Sequence, residues 1–185
     1  MKWTKWLCVG SVLTVSLVVM GENAASISGE HEAVTITAAE IEGGLRPAVT
    51  GVNDVVLSAT SIGGEYNLGV FAVRRTLVHG KLAVDAYQHH DITEVYQVVR
   101  GSGTLVTGGT LEEPKELASD DPSVKMLMGP TAQGAGIKGG RSQHLAVGDI
   151  VVIPADTPHG FINLAPEGIS YVLVRIDPHK VLRVR

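Results

Sequence analysis

The sequence predicts an all-β fold of the barrel or sandwich type. Short apolar segments rich in Val, Leu, Ile and Ala recur along the 185 residues. Turns that contain glycine or proline separate these segments, and the chain contains 22 glycines. No helix-length segment alternates with them, so a βαβ architecture is not indicated. Short strands at this spacing are typical of a closed or two-layered antiparallel sheet.

Length and charge narrow the class of protein. A chain of 185 residues that is 44% hydrophobic is sufficient for one domain with a full core. The formal net charge of -4 provides no basic surface for nucleic acid or anionic lipid. We therefore expect a small molecule as the partner, and no nucleic acid.

The N-terminus resembles a secretory signal peptide. Lys2 and Lys5 precede an apolar run at 6–20, and small residues follow up to Ser26. The run is shorter than the roughly 20 residues that span a membrane, so an uncleaved anchor is the weaker alternative. We predict cleavage after residues 1–25, a secreted or periplasmic protein and no stable membrane insertion afterwards. Cys8, the single cysteine, would leave with the signal, so the mature chain would have no disulfide.

Residues 26–66 are predicted to form a lead-in that packs on the barrel. Thr37 and Glu40 have the spacing of a capping box, and Gly43 and Gly44 should end the helix after barely two turns. Exposed strand edges need covering, and this segment could cover one within a chain or between two chains. A homodimer is therefore a possible assembly.

The barrel itself is assigned to residues 67–178, and residues 179–185 form a C-terminal tail. Gly80, Gly101, Gly148 and Pro166 are among the predicted turn positions. The predicted strands cover residues 54–60, 67–78, 82–90, 94–99, 103–107, 143–147, 149–153, 160–163 and 169–176.

Residues 111–136 interrupt this alternation of predicted strands and turns. The segment is polar and acidic, and it carries Met126, Leu127 and Met128 near its end. A long connection without regular structure is either a solvated surface loop or a functional lid. The apolar triplet at 126–128 is the part able to fold over a pocket.

A histidine-rich segment at 88–94 is the first candidate site. Residues two apart in a strand share a face, so Gln88 and His90 should point one way and His89 the other. Glu94 keeps the parity of His90, and a tight turn at 91–93 would bring both side chains together. Imidazole and carboxylate groups suit first-row divalent metal ions.

A second segment strengthens this hypothesis. Gly148 enters an apolar strand, Pro154 ends it, and a short turn delivers His159, followed by Asn163. Together with His90, Glu94 and Gly101, this pattern resembles the two motifs of the cupin family. Three positions depart from the motifs: Gln88 replaces the first histidine, Leu82 the opening glycine and Asp156 a glycine of the second motif.

The resemblance implies a double-stranded β-helix, or jelly-roll, with a metal ion inside the barrel. It assigns Gln88, His90, Glu94 and His159 as the ligands of Fe, Mn, Ni, Zn or Co. His89 would replace Gln88 only if a bulge shifted the register.

A metal-dependent oxygenase, lyase or isomerase acting on a small organic molecule would fit such a site. Glu94 and Tyr96 are the candidate catalytic residues. Glu94 would serve as a base if the apolar barrel raised its pKa, and Tyr96 shares the parity of Glu94 and should line the pocket. The alternative is a non-catalytic barrel that binds a small ligand with a weak or lost metal site.

Overall fold

The computed structural model describes residues 33–46, 51–80 and 86–182. The predicted signal peptide at 1–25 lies outside these residues, as does the first half of the strand predicted at 82–90. None of the helices in the described residues is long and apolar enough to cross a membrane.

The predicted all-β jelly-roll fold is confirmed, with antiparallel pairing throughout the described strands. The elements in chain order are α1 Ala38–Gly44, β1 Val52–Ile62, β2 Tyr66–Arg75, β3 Ala86–His89, β4 Thr93–Thr107, β5 Thr110–Glu112, β6 Lys115–Glu116, a single helical turn Val124–Met128, β7 Thr131–Gly134, β8 Gly136–Lys138, β9 Arg141–Ala146, β10 Ile150–Ile153 and β11 His159–Asp177.

The two longest strands, β4 and β11, organise the barrel. They pair with each other, and β4 also pairs with β9 and β10 while β11 also pairs with β2 and β3. Inward-facing side chains from these strands form the core: Phe71, Val73, Tyr96, Val98, Leu105, Leu145, Ile153, Phe161, Leu164, Ile169, Tyr171 and Leu173. Three of these core residues, Tyr96, Tyr171 and Leu173, also line a cavity.

The predicted helix is confirmed. Thr37 accepts a hydrogen bond from the backbone of Glu40, whose carboxylate in turn accepts one from the backbone of Thr37. Gly44 ends the helix where it packs against β1 and β2, and a Cβ there would lie 2.6 Å from that of Ala72. The lead-in, however, already contains β1, which pairs with β2 along its length. The sheet therefore begins at Val52, two residues before the strand predicted at 54–60.

Two predicted turns lie inside strands. Residues 94–99 and 103–107 belong to one strand, β4, and residues 160–163 and 169–176 belong to β11. Gly101 and Pro166 fall at or near register shifts between these strands, so they bend the ladder without ending it. Their sequence signal is that of a turn because a bulge and a turn use the same residue types.

The segment at 111–136 is also more regular than predicted. It contributes the two-stranded sheet of β5 and β8, and β7 pairs with β3 in the main sheet. Leu127 packs against the core from the helical turn between β6 and β7. Local propensity missed these strands because they are short and their partners are distant in sequence.

Gly101 is required by the close approach of β4 and β11. Its φ is +66°, and a Cβ there would lie 2.0 Å from the carbonyl oxygen of Gly168. We expect Gly101→Ala to destabilise the protein by about 3–4 kcal/mol, since strain and a backbone clash combine.

Gly108 is the matched control. Its φ is +76°, but its Cβ position is open, with nothing within 4 Å. Gly108→Ala should therefore cost only the left-handed strain, about 1–2 kcal/mol. Urea unfolding of both variants measures the difference, and equal losses would contradict the close approach.

Candidate metal centre

Three buried side chains meet inside the barrel: His89, Glu94 and His159. Their candidate ligand atoms all lie within 4.8 Å of one another. His89 Nε2 is 3.4 Å from Glu94 Oε1, and His159 Nε2 is 3.2 Å from Glu94 Oε2. The three side chains are no more than 5% exposed.

The strands explain why these residues converge. His89 ends β3, Glu94 lies near the start of β4, and His159 starts β11, where it pairs with Tyr87 of β3. Glu94 lies directly opposite Arg175 in the register of β4 and β11. Three separate strands therefore fix the three side chains, and the backbone ladder limits how far they can move apart.

Two of the four predicted ligands are not in this cluster. Gln88 and His90 face away from it: both donate to or contact Asp156 Oδ1, at 2.7 and 3.0 Å. His90 Nε2 also lies 3.1 Å from Glu116, and its side chain is 34% exposed. The structure brings Glu94 and His159 together with His89 instead.

Gln88 and His90 are predicted as ligands because alternate side chains of a strand share a face, and this rule does not extend across a turn. Gln88 and His90 do alternate with His89, but β3 ends at His89 and residues 90–92 turn the chain before β4. The turn reverses the parity, so His89 and Glu94 share the inner face although they are an odd number of residues apart. No bulge in β3 is needed.

The hydrogen bonds at Nδ1 orient both imidazoles. His159 Nδ1 lies 2.9 Å from the carbonyl oxygen of Thr157, which accepts only, so this nitrogen carries a proton. His89 Nδ1 lies 2.8 Å from the Thr131 hydroxyl, which itself donates to the carbonyl of Gly129 at 2.9 Å. Thr131 must then accept from His89. Each ring thus directs Nε2 towards Glu94, the arrangement that partner groups impose on metal-ligating histidines.

Glu94 is held as a carboxylate. Arg175 Nε donates to Oε1 at 2.8 Å and Tyr96 donates to Oε2 at 2.7 Å. Burial alone would raise the pKa of Glu94, but the positive charge of the Arg175 guanidinium outweighs it and holds the pKa well below its usual range. The predicted role of Glu94 as a base depends on a pKa raised by the apolar barrel, and this raised pKa is not found.

Tyr96 lies in the cavity wall, as predicted, and its hydroxyl donates a hydrogen bond to Glu94. Burial, followed by the charge of Glu94, raises the pKa of Tyr96 well above its ordinary value. A phenol that stays protonated and donates to Glu94 positions the carboxylate and is poorly suited to release a proton.

The donor set fits a divalent cation. Burial lowers the pKa of His89 to about 3, so its Nε2 carries a lone pair that faces the oxygen of Glu94 without a proton between them. Two acceptors in contact repel each other unless a cation separates them. Metal–ligand distances of about 2.0–2.2 Å at tetrahedral or octahedral angles require donor separations of roughly 3.0–3.5 Å. The two histidine–carboxylate distances, 3.4 Å to Oε1 and 3.2 Å to Oε2, meet this requirement, and all the candidate ligand atoms lie within 4.8 Å of one another.

The cluster forms part of the wall of a cavity of about 120 Å³. An engineered cavity of about 150 Å³ takes benzene, so this space suits a ligand of about six non-hydrogen atoms. Leu127 and Met128 line it from the segment at 126–128, the part predicted to be able to fold over a pocket. The wall also contains Val52, Asp54, Arg75, Tyr87, Tyr171, Leu173 and Arg175.

Sequence reasoning did not single out Asp54, Thr131 or Arg175. Arg175 had a usable signal, since it keeps the parity of Tyr171 and Leu173 on β11, whose side chains are buried. A charged residue on the inner face of a strand needs a buried partner of opposite charge. Asp54 and Thr131 gave no comparable local signal.

No protein-family model matches the sequence, and no curated protein matches it either. Among solved structures, KdgF from Halomonas sp. is 18% identical with a TM-score of 0.42, covering 73% of this chain and 87% of that one. A protein from Bacillus halodurans is 12% identical, with a TM-score of 0.49 over 84% and 90% of the two chains. A Klebsiella pneumoniae protein with a double-stranded β-helix domain is 15% identical, with a TM-score of 0.47 over 80% and 91%.

The low pKa of His89 predicts how stability depends on pH. In the metal-free protein, His89 of the unfolded chain binds a proton near pH 6.5. In the folded protein the same side chain binds a proton only near pH 3. The free energy of unfolding should therefore fall as the pH drops below about 6.5, by up to about 1.4 kcal/mol per pH unit.

Urea unfolding between pH 7 and 5 in the presence of a chelator measures this slope. His90 contributes with the opposite sign, because its bond to Asp156 raises its pKa. The wild type should therefore be compared with His89→Gln, which lacks the His89 contribution. An NMR titration that placed the pKa of His89 near 6.5 would contradict the prediction.

Proposed function

We propose that this protein binds one divalent first-row metal ion through His89, Glu94 and His159 and presents it to a small organic molecule. The opposed acceptors of His89 and Glu94 carry this proposal, since a cation resolves their repulsion. Three protein ligands leave coordination positions open for a ligand. Fe, Mn, Ni, Zn and Co are all compatible with two imidazoles and a carboxylate.

The ion would supply Lewis-acid chemistry to oxygen atoms of the bound molecule, and oxygenase, lyase and isomerase reactions are all compatible with that. The other residues of the site orient the three ligands and line the cavity. Arg175 and Tyr96 keep Glu94 ionised and oriented, while Thr131 and Thr157 fix the two histidine tautomers. Leu127 and Met128 contribute apolar side chains to the cavity wall.

One observation favours a second function, a non-catalytic barrel that binds a small ligand without a metal. Both oxygens of Glu94 already accept a hydrogen bond, from Arg175 and Tyr96. A buried carboxylate with a guanidinium partner can persist without an ion. Metal content therefore decides between the two functions.

Neighbouring histidines provide a sharp test of the metal site. We expect about one equivalent of metal per chain in the wild type by mass spectrometry, and at least a hundredfold weaker binding in His89→Ala and His159→Ala because each loses a ligand. His89→Gln and His159→Gln repeat the test with a larger side chain if the alanine variants fold poorly.

His90→Ala is the matched control. This residue is adjacent to His89 but lies outside the cluster, so its removal should leave metal affinity within about threefold of the wild type. Metal loss in His90→Ala with retention in His89→Ala would overturn the ligand assignment. A folded, metal-free wild type after incubation with each ion would support the second function.

We further propose export of the mature chain, on the evidence of the basic, apolar and small-residue order of residues 1–26. Expression of the full chain in a bacterial host should yield a periplasmic or secreted product that begins near Ser26 by intact mass. A full-length product retained in the cytoplasm would contradict export. Light scattering on the same product tests the proposed homodimer.

A further inference from the structure

Another pocket lies on the outer face of the barrel, away from the metal centre. It has a volume of about 170 Å³ and is lined by Arg74 of β2, Ser170 of β11 and Arg100 of β4. The strand registers place Ser170 directly opposite Arg74 on one side and Arg100 on the other. The next residues along the two outer strands of this argument, Arg75 and Tyr171, line the metal cavity instead. Since neighbouring side chains of a strand point to opposite faces, the two pockets lie on opposite faces of the sheet.

Ser170 is buried in this pocket with a hydroxyl group that has no partner. The residue is 5% exposed, and its hydroxyl makes no hydrogen bond within the described residues. The unbonded side-chain atoms that are sealed from solvent in the same part of the chain belong to Asp54 and Arg175. The hydroxyl of Ser170 is therefore reachable from the pocket, where it can donate or accept a hydrogen bond.

The charged side chains of the pocket comprise one ion pair and two single charges. Arg100 pairs with Glu42 of α1, and both side chains are about half exposed. Arg74 is half-buried and Glu167 is exposed, and both line the pocket. Neither of these two forms an ion pair with the other or with another of the described residues. The pocket thus presents one cation and one anion that are not neutralised by contact.

These two single charges favour a ligand that carries both signs. A simple anion would be attracted by Arg74 but repelled by Glu167, and a simple cation would meet the reverse problem. A zwitterion satisfies both groups and leaves the net charge of the pocket unchanged. Its carboxylate would accept charge-assisted hydrogen bonds from the guanidinium of Arg74 and a further bond from the hydroxyl of Ser170.

The size of the pocket limits the zwitterion to a small one. A cavity of about 150 Å³ takes benzene, so about 170 Å³ is sufficient for the carboxylate, ammonium group and α-carbon of an amino acid. Gly101 and Gly168 complete the wall. A Cβ on Gly101 would lie 2.0 Å from the carbonyl oxygen of Gly168, so this part of the wall is backbone that no side chain can fill.

We propose that this outer pocket binds the zwitterion of a small α-amino acid, with its carboxylate on Arg74 and Ser170 and its ammonium group on Glu167. The site lies on the other face of the sheet from His89, Glu94 and His159, so the proposal does not rest on the proposed function.

Glycine, acetate and methylammonium are suitable probes, because acetate and methylammonium each keep only one of the two charges of glycine. NMR titration of the isotope-labelled wild type, as purified and at constant ionic strength, follows the amide signals of Gly101 and Gly168 in the pocket wall. Glycine should bind at least tenfold more tightly than either single-charge probe, since each of them lacks one charge-assisted contact. Glycine bound to a metal ion would instead shift amides around His89 and would persist in Arg74→Gln.

Arg74→Gln and Glu167→Gln should both weaken glycine binding at least tenfold, because each removes a charged partner. Acetate separates the two variants. Its binding should weaken in Arg74→Gln and tighten in Glu167→Gln, since the repelling carboxylate is gone. A general loss of structure would not produce this reversal. Ser170→Ala should weaken both glycine and acetate about threefold or more.

Arg141→Gln and Glu65→Gln are the matched controls. Both residues are exposed and lie outside the pocket, and their substitution makes the same two changes of charge. Their glycine affinity should stay within about twofold of the wild type.

The proposal is overturned if glycine binds the wild type no more tightly than acetate, which would indicate a simple anion site. Unshifted amides of Gly101 and Gly168, or unchanged glycine affinity in Arg74→Gln, would overturn it as well. If Arg74→Gln does not fold by circular dichroism, the exposed Glu167→Gln decides, through weaker glycine and tighter acetate binding.

Discussion

The structure depends on one buried carboxylate, that of Glu94. It is 1% exposed, and its environment supplies a guanidinium, a phenol and two imidazoles within 3.4 Å. An isolated carboxylate in such a site would cost several kcal/mol and would take up a proton. Arg175 prevents this, because it lies opposite Glu94 in the register of the two longest strands. The pairing of β4 with β11 therefore does more than close the barrel: it keeps a negative charge inside it.

The negative charge of Glu94 faces the Nε2 atoms of the two histidines and so determines what can bind between them. Thr131 and Thr157 hold the protons of His89 and His159 on Nδ1, and the carboxylate faces the opposite nitrogens. Burial keeps His89 neutral over most of the pH range. The result is a compact set of acceptors with no proton between His89 and Glu94, which is an environment that favours a cation. Asp54 extends the same network through Arg175.

The sequence was sufficient for the fold class but not for the full ligand set. Apolar segments between glycine turns predicted the strands, the capping box predicted the helix, and the two motifs located Glu94 and His159. The prediction of Gln88 and His90 as partners failed because alternation of side chains holds only within a strand, and β3 ends at His89. Arg175 and Asp54 come from opposite ends of the domain, so only the pairing of β1, β2 and β11 brings them together. Strand registers of this kind are set by long-range contacts, which local patterns do not encode.

The central claim is that a metal ion is bound between His89, Glu94 and His159. Diffraction from crystals of metal-loaded protein, with data collected on both sides of the absorption edge of the metal, tests it most directly. The account predicts one anomalous peak about 2.0–2.2 Å from Nε2 of both histidines and from a carboxylate oxygen of Glu94. A peak beside His90 and Gln88, or a fully ordered cluster without a peak, would contradict it.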